Sequence, residues 1–144
     1  MKTIFYGILV FSALVIIGLF FLAKSSQNAS PAGLINNQLA PCPEPANCVS
    51  SEADTEADKK VAAFSLNSWE KLPSIVADMG GEVTQTKANY LAAEFSSKTF
   101  KFVDDMEFRL ADDAVHVRSA SRVGLSDHGV NLARVNALRE RLSK

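Results

Sequence analysis

The chain has 144 residues, of which 47% are hydrophobic and 22% are charged, and its formal net charge at pH 7 is −1. Acidic residues dominate positions 44–113 and basic residues dominate positions 114–144, which predicts two halves that pair within one domain. A nucleic-acid-binding protein would need a denser basic stripe or stacking aromatic side chains, so composition and charge exclude that class.

The first element is an uncharged apolar run from Thr3 to Ala23. As a helix it would be about 31 Å long, which is enough to cross the hydrocarbon core of a bilayer. A cleaved signal peptide is the alternative, but its apolar region spans only about 7–15 residues before a small-x-small cleavage site. Here the run is longer and Phe21 occupies the third position before Lys24. The sequence therefore predicts an uncleaved transmembrane anchor over residues 1–24.

The charges that flank this run indicate its orientation. The amino terminus and Lys2 precede it, and Lys24 follows it. Positive charge favours the cytoplasmic side, so we expect a single-pass protein of a bacterial inner membrane whose C-terminal domain is extracytoplasmic. That compartment permits disulfide bonds.

Residues 25–60 are predicted to form a flexible stalk, rich in Ser, Asn, Ala and Gly up to Leu39, followed by a Cys/Pro loop. Cys42 and Cys48 flank this loop, and a disulfide between them would stabilise the fold by about 2 kcal/mol. A catalytic dithiol usually has two intervening residues. A zinc site would need two more ligands, for which the sequence offers only histidines 116 and 128. We favour the disulfide and expect neither a metal nor a cofactor.

The segment 61–144 is predicted to be the folded domain, and it opens with a helix. Ser68 can cap this helix, Pro73 would kink it or mark a second start, and Gly80-Gly81 would end it. Its apolar side chains recur at helical spacing and are Trp69, Leu72, Val76 and Met79.

From Glu82 to Arg122 the hydrophobic period changes to two, which predicts a four-stranded antiparallel meander. A turn at 96–99 would place Phe95 opposite Phe100. This register would also pair Glu94 with Lys101 across the strands.

A second turn, at 111–114, would set the register of the last two strands. Apolar residues would then face apolar residues, and opposite charges would meet outside. The predicted pairs are Leu110 with Val115, Phe108 with Val117, Met106 with Ser119, Asp104 with Ser121, and Glu107 with Arg118.

The last element is a helix that begins near Ser126 or Asp127 and runs to Leu142, with Val135 and Leu138 in its apolar stripe. Together these elements predict an α+β fold in which two helices cover one face of the four-stranded meander.

Two polar residues interrupt the predicted core: Asp104 on the apolar strand face and Asn131 in the helix stripe. A buried carboxylate needs hydrogen-bond donors. We favour a structural cluster that holds the last helix on the sheet. The alternative is a small-anion site where the helix N terminus lies near basic side chains, although Asp127 would occupy its amides. The candidate ligand-binding residues are Asp104, Arg118, Ser121, Arg122, Asp127, Asn131 and Arg134.

No catalytic residue is predicted. Asp104 and Asp105 are adjacent in a strand and point to opposite faces. The consecutive side chains Ser126, Asp127 and His128 diverge, whereas a triad must converge. His116 is expected to be a solvated strand residue. A non-catalytic protein is therefore favoured, and the alternative is a hydrolase that uses the region of Asp104, Arg118 and Arg122.

The motifs at 102–108 and 117–131 resemble an uncharacterised family, domain of unknown function 1499. The stretch Cys42–Ser51 resembles the opening motif of that family, with Ala46 where a proline is usual. The resemblance covers nearly all of 41–144. It implies a small domain of bacterial or plastid type, often membrane-associated, and brings no activity. We expect an extracytoplasmic module that binds an envelope protein or a small anion.

Overall fold

The apolar run forms one helix, α1, in the computed structural model, which describes residues 2–144. The helix spans Lys2–Asn28, and it is long and apolar enough to cross a membrane. Its side chains are exposed along the apolar run, except near the C-terminal end, where Ala23 and Ser26 are buried.

The segment after the apolar run differs from the expected flexible stalk. The helix continues to Asn28, and the Ser26 hydroxyl accepts a hydrogen bond from the backbone N–H of Val103 at 2.9 Å. A two-stranded hairpin follows, formed by β1 (Leu34–Ile35) and β2 (Gln38–Leu39). Tertiary contacts order this polar segment despite its lack of periodicity. The division of the chain at residues 24 and 60 stays a prediction.

The main sheet has five antiparallel strands in the order β3-β7-β6-β5-β4. The prediction of four strands is wrong because β3 comes from the Cys/Pro loop and pairs with β7. A three-residue strand is too short to show a hydrophobic period. The strands are β3 (Cys48–Ser50), β4 (Glu82–Lys87), β5 (Tyr90–Ser96), β6 (Val103–Leu110) and β7 (Val115–Ser121).

The register of β6 and β7 is confirmed at every predicted pair, including Asp104 with Ser121 and Glu107 with Arg118. Opposite charges and matched apolar residues fix this hairpin, as expected.

The predicted register of β5 and β6 is wrong, because Phe95 pairs with Asp104 rather than with Phe100. The connecting loop is longer than a tight turn: the N–H of Ser97 donates to the carbonyl of Phe102 at 2.8 Å, and the N–H of Phe102 donates to the Ser97 hydroxyl at 2.9 Å. Lys101 lies in this loop with φ of 61° and does not pair with Glu94.

The helices agree with the predicted signals in part, because Ser68 lies inside the first helical segment and Ser65, not Ser68, stands at its N-cap. A 3-10 helix over Leu66–Lys71 leads into α2 (Leu72–Asp78), so Pro73 marks a second start rather than a kink. Gly80, with φ of 85°, follows α2. The last helix, α3, spans Val130–Leu142.

The two faces of the sheet are covered differently. Helices α2 and α3 pack on one face, here called the helix face, and enclose the apolar core. Segments on either side of β3, within 29–47 and 51–60, cover the other face, here called the strap face, and we call these two segments the strap. The core side chains of the helix face include Leu72, Val76, Leu91, Met106, Phe108, Val117, Val135 and Leu138. A small cluster of Leu39, Tyr90 and Ala92 lies under the strap.

Candidate functional site

A polar cluster lies at the edge of the helix face, and it contains several predicted site residues. The amide of Asn131 is fully buried: its Oδ1 accepts from the Ser119 hydroxyl at 2.6 Å and from Arg134 at 2.8 Å. Its Nδ2 donates to Ser121 at 3.2 Å and to the carbonyl of Asn47 at 3.0 Å. Asn131 therefore joins α3 to β7 and to the segment that precedes β3.

Asp104 lies at the margin of this cluster. Its Oδ2 accepts from Arg134 Nη2 at 2.9 Å, and 18% of its side chain is exposed. The expected burial of this carboxylate is thus only partial. Ser119, which was not among the predicted site residues, contributes more to the buried part of the cluster because it is fully buried.

Asp127 caps α3. Its Oδ2 accepts from the N–H of Asn131 at 2.6 Å and its Oδ1 from the N–H of Gly129 at 3.1 Å. Burial acts to raise the pKa of Asp127, but these hydrogen bonds outweigh it and hold the pKa below 3.8. The carboxylate therefore occupies the amides that an anion would use.

The strap face carries a second polar cluster, which is buried and strongly charged. Glu107 is fully buried and accepts three hydrogen bonds: from the Tyr90 hydroxyl at 2.7 Å, from Arg118 Nη1 at 2.9 Å, and from the N–H of Gly33 in the strap at 2.6 Å. Burial and the neighbouring Glu107 carboxylate raise the pKa of Tyr90, so its hydroxyl remains a donor.

Arg122 neutralises two carboxylates at one end of this face. Its guanidinium donates two bonds to Asp105, at 2.8 and 2.7 Å, and one to Glu94 at 2.6 Å. Its Nη1 also donates to the carbonyl of Ser26 in α1 at 3.0 Å. Burial nevertheless raises the pKa of Asp105 above its ordinary value, because desolvation outweighs the hydrogen bonds from Arg122.

Glu52 brings a charge from the strap to the other end of the face. It forms a two-point ion pair with Arg109, at 2.8 Å for each contact, and accepts from the N–H of Leu39 at 2.9 Å. Burial acts to raise the pKa of Glu52, but the bonds from Arg109 and Leu39 prevail and lower it. His116 lies 3.7 Å from Glu52 with only 17% of its side chain exposed, so its predicted solvation is wrong.

The structure thus separates the predicted site residues into two groups. Asp104, Ser121, Asn131 and Arg134 come together on the helix face, whereas Arg118 and Arg122 pair with carboxylates on the strap face. Asp104 and Asp105 point to opposite faces, as expected.

The strap-face cluster was missed because the strap itself has no hydrophobic period. The one available signal was Tyr90 and Ala92, two apolar positions on the face expected to be solvated. Together with the adjacent opposite charges of Glu107 and Arg118, they indicate a covered surface.

A cavity of about 220 Å³ adjoins the strap-face cluster. It is lined by Arg118, Arg122 and Asp105 from the sheet and by Ala32 and Pro43 from the strap. The Nε of Arg118 is buried and has no hydrogen-bond partner among the described residues.

Cys42 and Cys48 form a disulfide, with their Cα atoms 5.6 Å apart. It closes the loop between the strap hairpin and β3. Within residues 2–144, no three His, Cys, Asp or Glu side chains are grouped so that they could hold a metal ion.

The fold defines a small α+β domain, built on a five-stranded antiparallel sheet, that follows an N-terminal apolar helix. The chain belongs to the family described as "Protein of unknown function (DUF1499)", which matches residues 38–142. The resemblance identified from the motifs at 102–108 and 117–131 is therefore confirmed. Comparison with curated proteins and with solved structures gives no match.

Proposed function

We propose that the protein is a membrane-anchored, non-catalytic interaction module that holds its domain against the extracytoplasmic surface of a bacterial inner membrane. The observation that carries this proposal is the direct attachment of α1 to the sheet. The helix meets β6 through Ser26, and Arg122 donates to the carbonyl of the same residue.

This attachment supports an anchor that is retained. Cleavage before Lys24 would remove the buried Ala23 and leave Ser26 in a five-residue helical remnant, 24–28, which is too short to remain helical on its own. The Ser26 carbonyl also accepts a hydrogen bond from the buried Arg122 guanidinium. A cation near the last turn stabilises the C terminus of a helix. An attached helix fixes the orientation of the domain relative to the bilayer, as a docking module requires.

The arrangement of charge favours binding over hydrolysis. The alternative hydrolase would use Asp104 with Arg118 and Arg122 in one site, but the sheet separates the carboxylate from both guanidinium groups. On the strap face four carboxylates (Glu52, Glu94, Asp105, Glu107) pair with three guanidinium groups. Mutual pairing of this kind is typical of a structural network.

Binding of a small anion is the second candidate, and the unpartnered Nε of Arg118 beside the 220 Å³ cavity favours it. An anion between Arg118 and Arg122 would complete the hydrogen bonding of this guanidinium.

The anchored topology is tested with protein from isolated membranes. We expect the intact mass to retain residues 2–28, and protease added outside spheroplasts to digest the domain. A soluble chain that begins near residue 24 would refute the anchor, and protection from external protease would refute the orientation.

Crosslinking in cells followed by mass spectrometry then identifies envelope partners. Consistent crosslinking of the same partner supports a docking module.

The anion candidate is tested by titrating the full chain in detergent with phosphate and with sulfate, while observing the Arg118 side-chain Nε–H by NMR. A saturable shift that is lost in Ala32→Leu, which fills the cavity, supports the candidate. Absence of a shift in the parent chain rejects it. Arg139→Gln, on the helix face, is the matched control and should leave the shift unchanged.

A further inference from the structure

We propose that a second cavity, between α1 and the end of the sheet, binds a single phospholipid of the surrounding bilayer that carries an ammonium headgroup. This inference rests on the membrane anchoring proposed above and adds a ligand to it. The cavity measures about 590 Å³, which lies in the range of small-molecule binding sites.

The walls of the cavity come from two parts of the chain. Leu19 and Leu22 form the wall on the α1 side, and the domain contributes Phe102, Val123 and Val130. Aliphatic and aromatic side chains on both sides form an apolar slot of the kind that an acyl chain fills.

Position along α1 identifies the source of the ligand. Leu19 and Leu22 lie within the last five residues of the apolar run that ends at Ala23. At 1.5 Å per residue, the cavity therefore lies within about 6 Å of the end of the membrane-spanning stretch. That depth is the boundary between the acyl chains and the headgroups, so the slot opens where lipid is present.

Exposed apolar side chains extend the slot along the same side of the domain. Leu125 is 83% exposed and Val130 is 47% exposed, and both lie near the start of α3. Exposed apolar residues that continue from a membrane-spanning helix favour a lipid surface over water.

The charge of the lining selects the headgroup. Among the described residues that line the cavity, Asp104 and Asp127 carry carboxylates, His128 is the one basic side chain, and none is Lys or Arg. Arg134 pairs with Asp104, so Asp127 supplies the negative charge that no cationic side chain within residues 2–144 pairs with. The hydrogen bonds that Asp127 accepts at the start of α3 keep it ionised. An acidic lining favours a lipid with an ammonium group over an anionic lipid.

The experiment uses the full chain in vesicles that contain phosphatidylethanolamine and phosphatidylglycerol in equal amounts. Each lipid is supplied in turn with a photoactivatable diazirine in its acyl chain, and labelled peptides are identified by mass spectrometry. We expect the ethanolamine probe to label the segments around Phe102 and Val123–Val130 more strongly than the glycerol probe does.

Leu19→Trp combined with Leu22→Trp fills the slot from the α1 side, and Val123→Phe fills it from the domain side. Losing contact with two methylene groups should lower this labelling about tenfold. Leu9→Trp combined with Leu14→Trp, in the same helix away from the cavity, is the matched control and should leave it unchanged. Trp69 fluorescence in Val123→Phe, whose α1 is unaltered, verifies that the domain remains folded.

Labelling of α1 with none in the domain, or equal labelling in the parent and in both filled variants, would overturn the lipid site while leaving the anchor intact. Equal labelling by the two probes would overturn the choice of headgroup. Absence of label throughout the chain would mean that α1 is not in the membrane, and both proposals would then fail.

Discussion

The two faces of the sheet bury their side chains by opposite means. On the helix face, regular helices cover an apolar core that contains Phe108 and Val117. On the strap face, an irregular segment covers a network of ion pairs in which Glu107 is as deeply buried as Phe108, its neighbour in β6. Burial in this domain therefore depends on what covers a strand and not on the polarity of its residues.

The largest effect is expected on the helix face. Phe108→Ala should lower the free energy of unfolding by about 4 kcal/mol, because it leaves a cavity in a core that cannot fully collapse. Urea denaturation of the full chain in mild detergent, followed by Trp69 fluorescence, measures the change, since Trp69 packs against this core. Phe100→Ala, in the loop between β5 and β6, is the control and should cost much less. Equal losses would contradict the location of the core.

The neighbouring substitution tests the strap face. Glu107→Gln should cost about 3 kcal/mol, because it leaves the buried guanidinium of Arg118 without its carboxylate. The same urea series measures it. Glu82→Gln, on the exposed edge strand β4, changes the same chemical group and should have little effect. If both variants unfold together with the parent, Glu107 is not buried under the strap.

Asp104→Asn should have a smaller effect, of about 1 kcal/mol, because both Asp104 and Arg134 are partly exposed and water screens their ion pair. Hydrogen exchange of the α3 amides is the sharpest measurement. We expect faster exchange near the start of α3 while the β6 and β7 amides remain protected. A loss as large as that of Glu107→Gln would show that the two clusters are equally buried.

The smallest expected effect concerns pH. The folded pKa of Glu52 lies below its ordinary value of 4.5, so the unfolded chain binds a proton first as the pH falls. The stabilisation from Glu52 is therefore complete above that value and is lost as the pH falls through the folded pKa. The difference in unfolding midpoint between the parent and Glu52→Gln should shrink as the pH is lowered from 7 to below 4.5. A constant difference would contradict the ion pair with Arg109.

Some features of the fold were predictable from the sequence and others were not. The apolar helix, the hairpin of β6 and β7, the start of α2 at Pro73 and the disulfide partners were predictable, because periodicity, charge pairing and turn residues act over short distances. Asn131 and Ser121 were both among the predicted site residues, and they hydrogen-bond to each other, whereas Asp104 pairs with Arg134.

The register of β5 and β6 was not predictable, because the loop at 97–102 replaces a tight turn with hydrogen bonds that only its folded conformation reveals. Strand β3 and the strap were missed for a related reason. Short, irregular segments have no hydrophobic period. Their structure depends on their tertiary contacts with the sheet.

The amino-acid pattern was enough to predict a membrane-length helix, an α+β domain and the resemblance to the DUF1499 family, since local patterns of polarity and long motifs carry that information. Only the tertiary structure decided that Arg118 and Arg122 belong to a buried network rather than to the site of Asp104, and that α1 is attached to the sheet. The physical reason is that the free energy of a charged side chain depends on its cover and its partners, which lie far away in sequence.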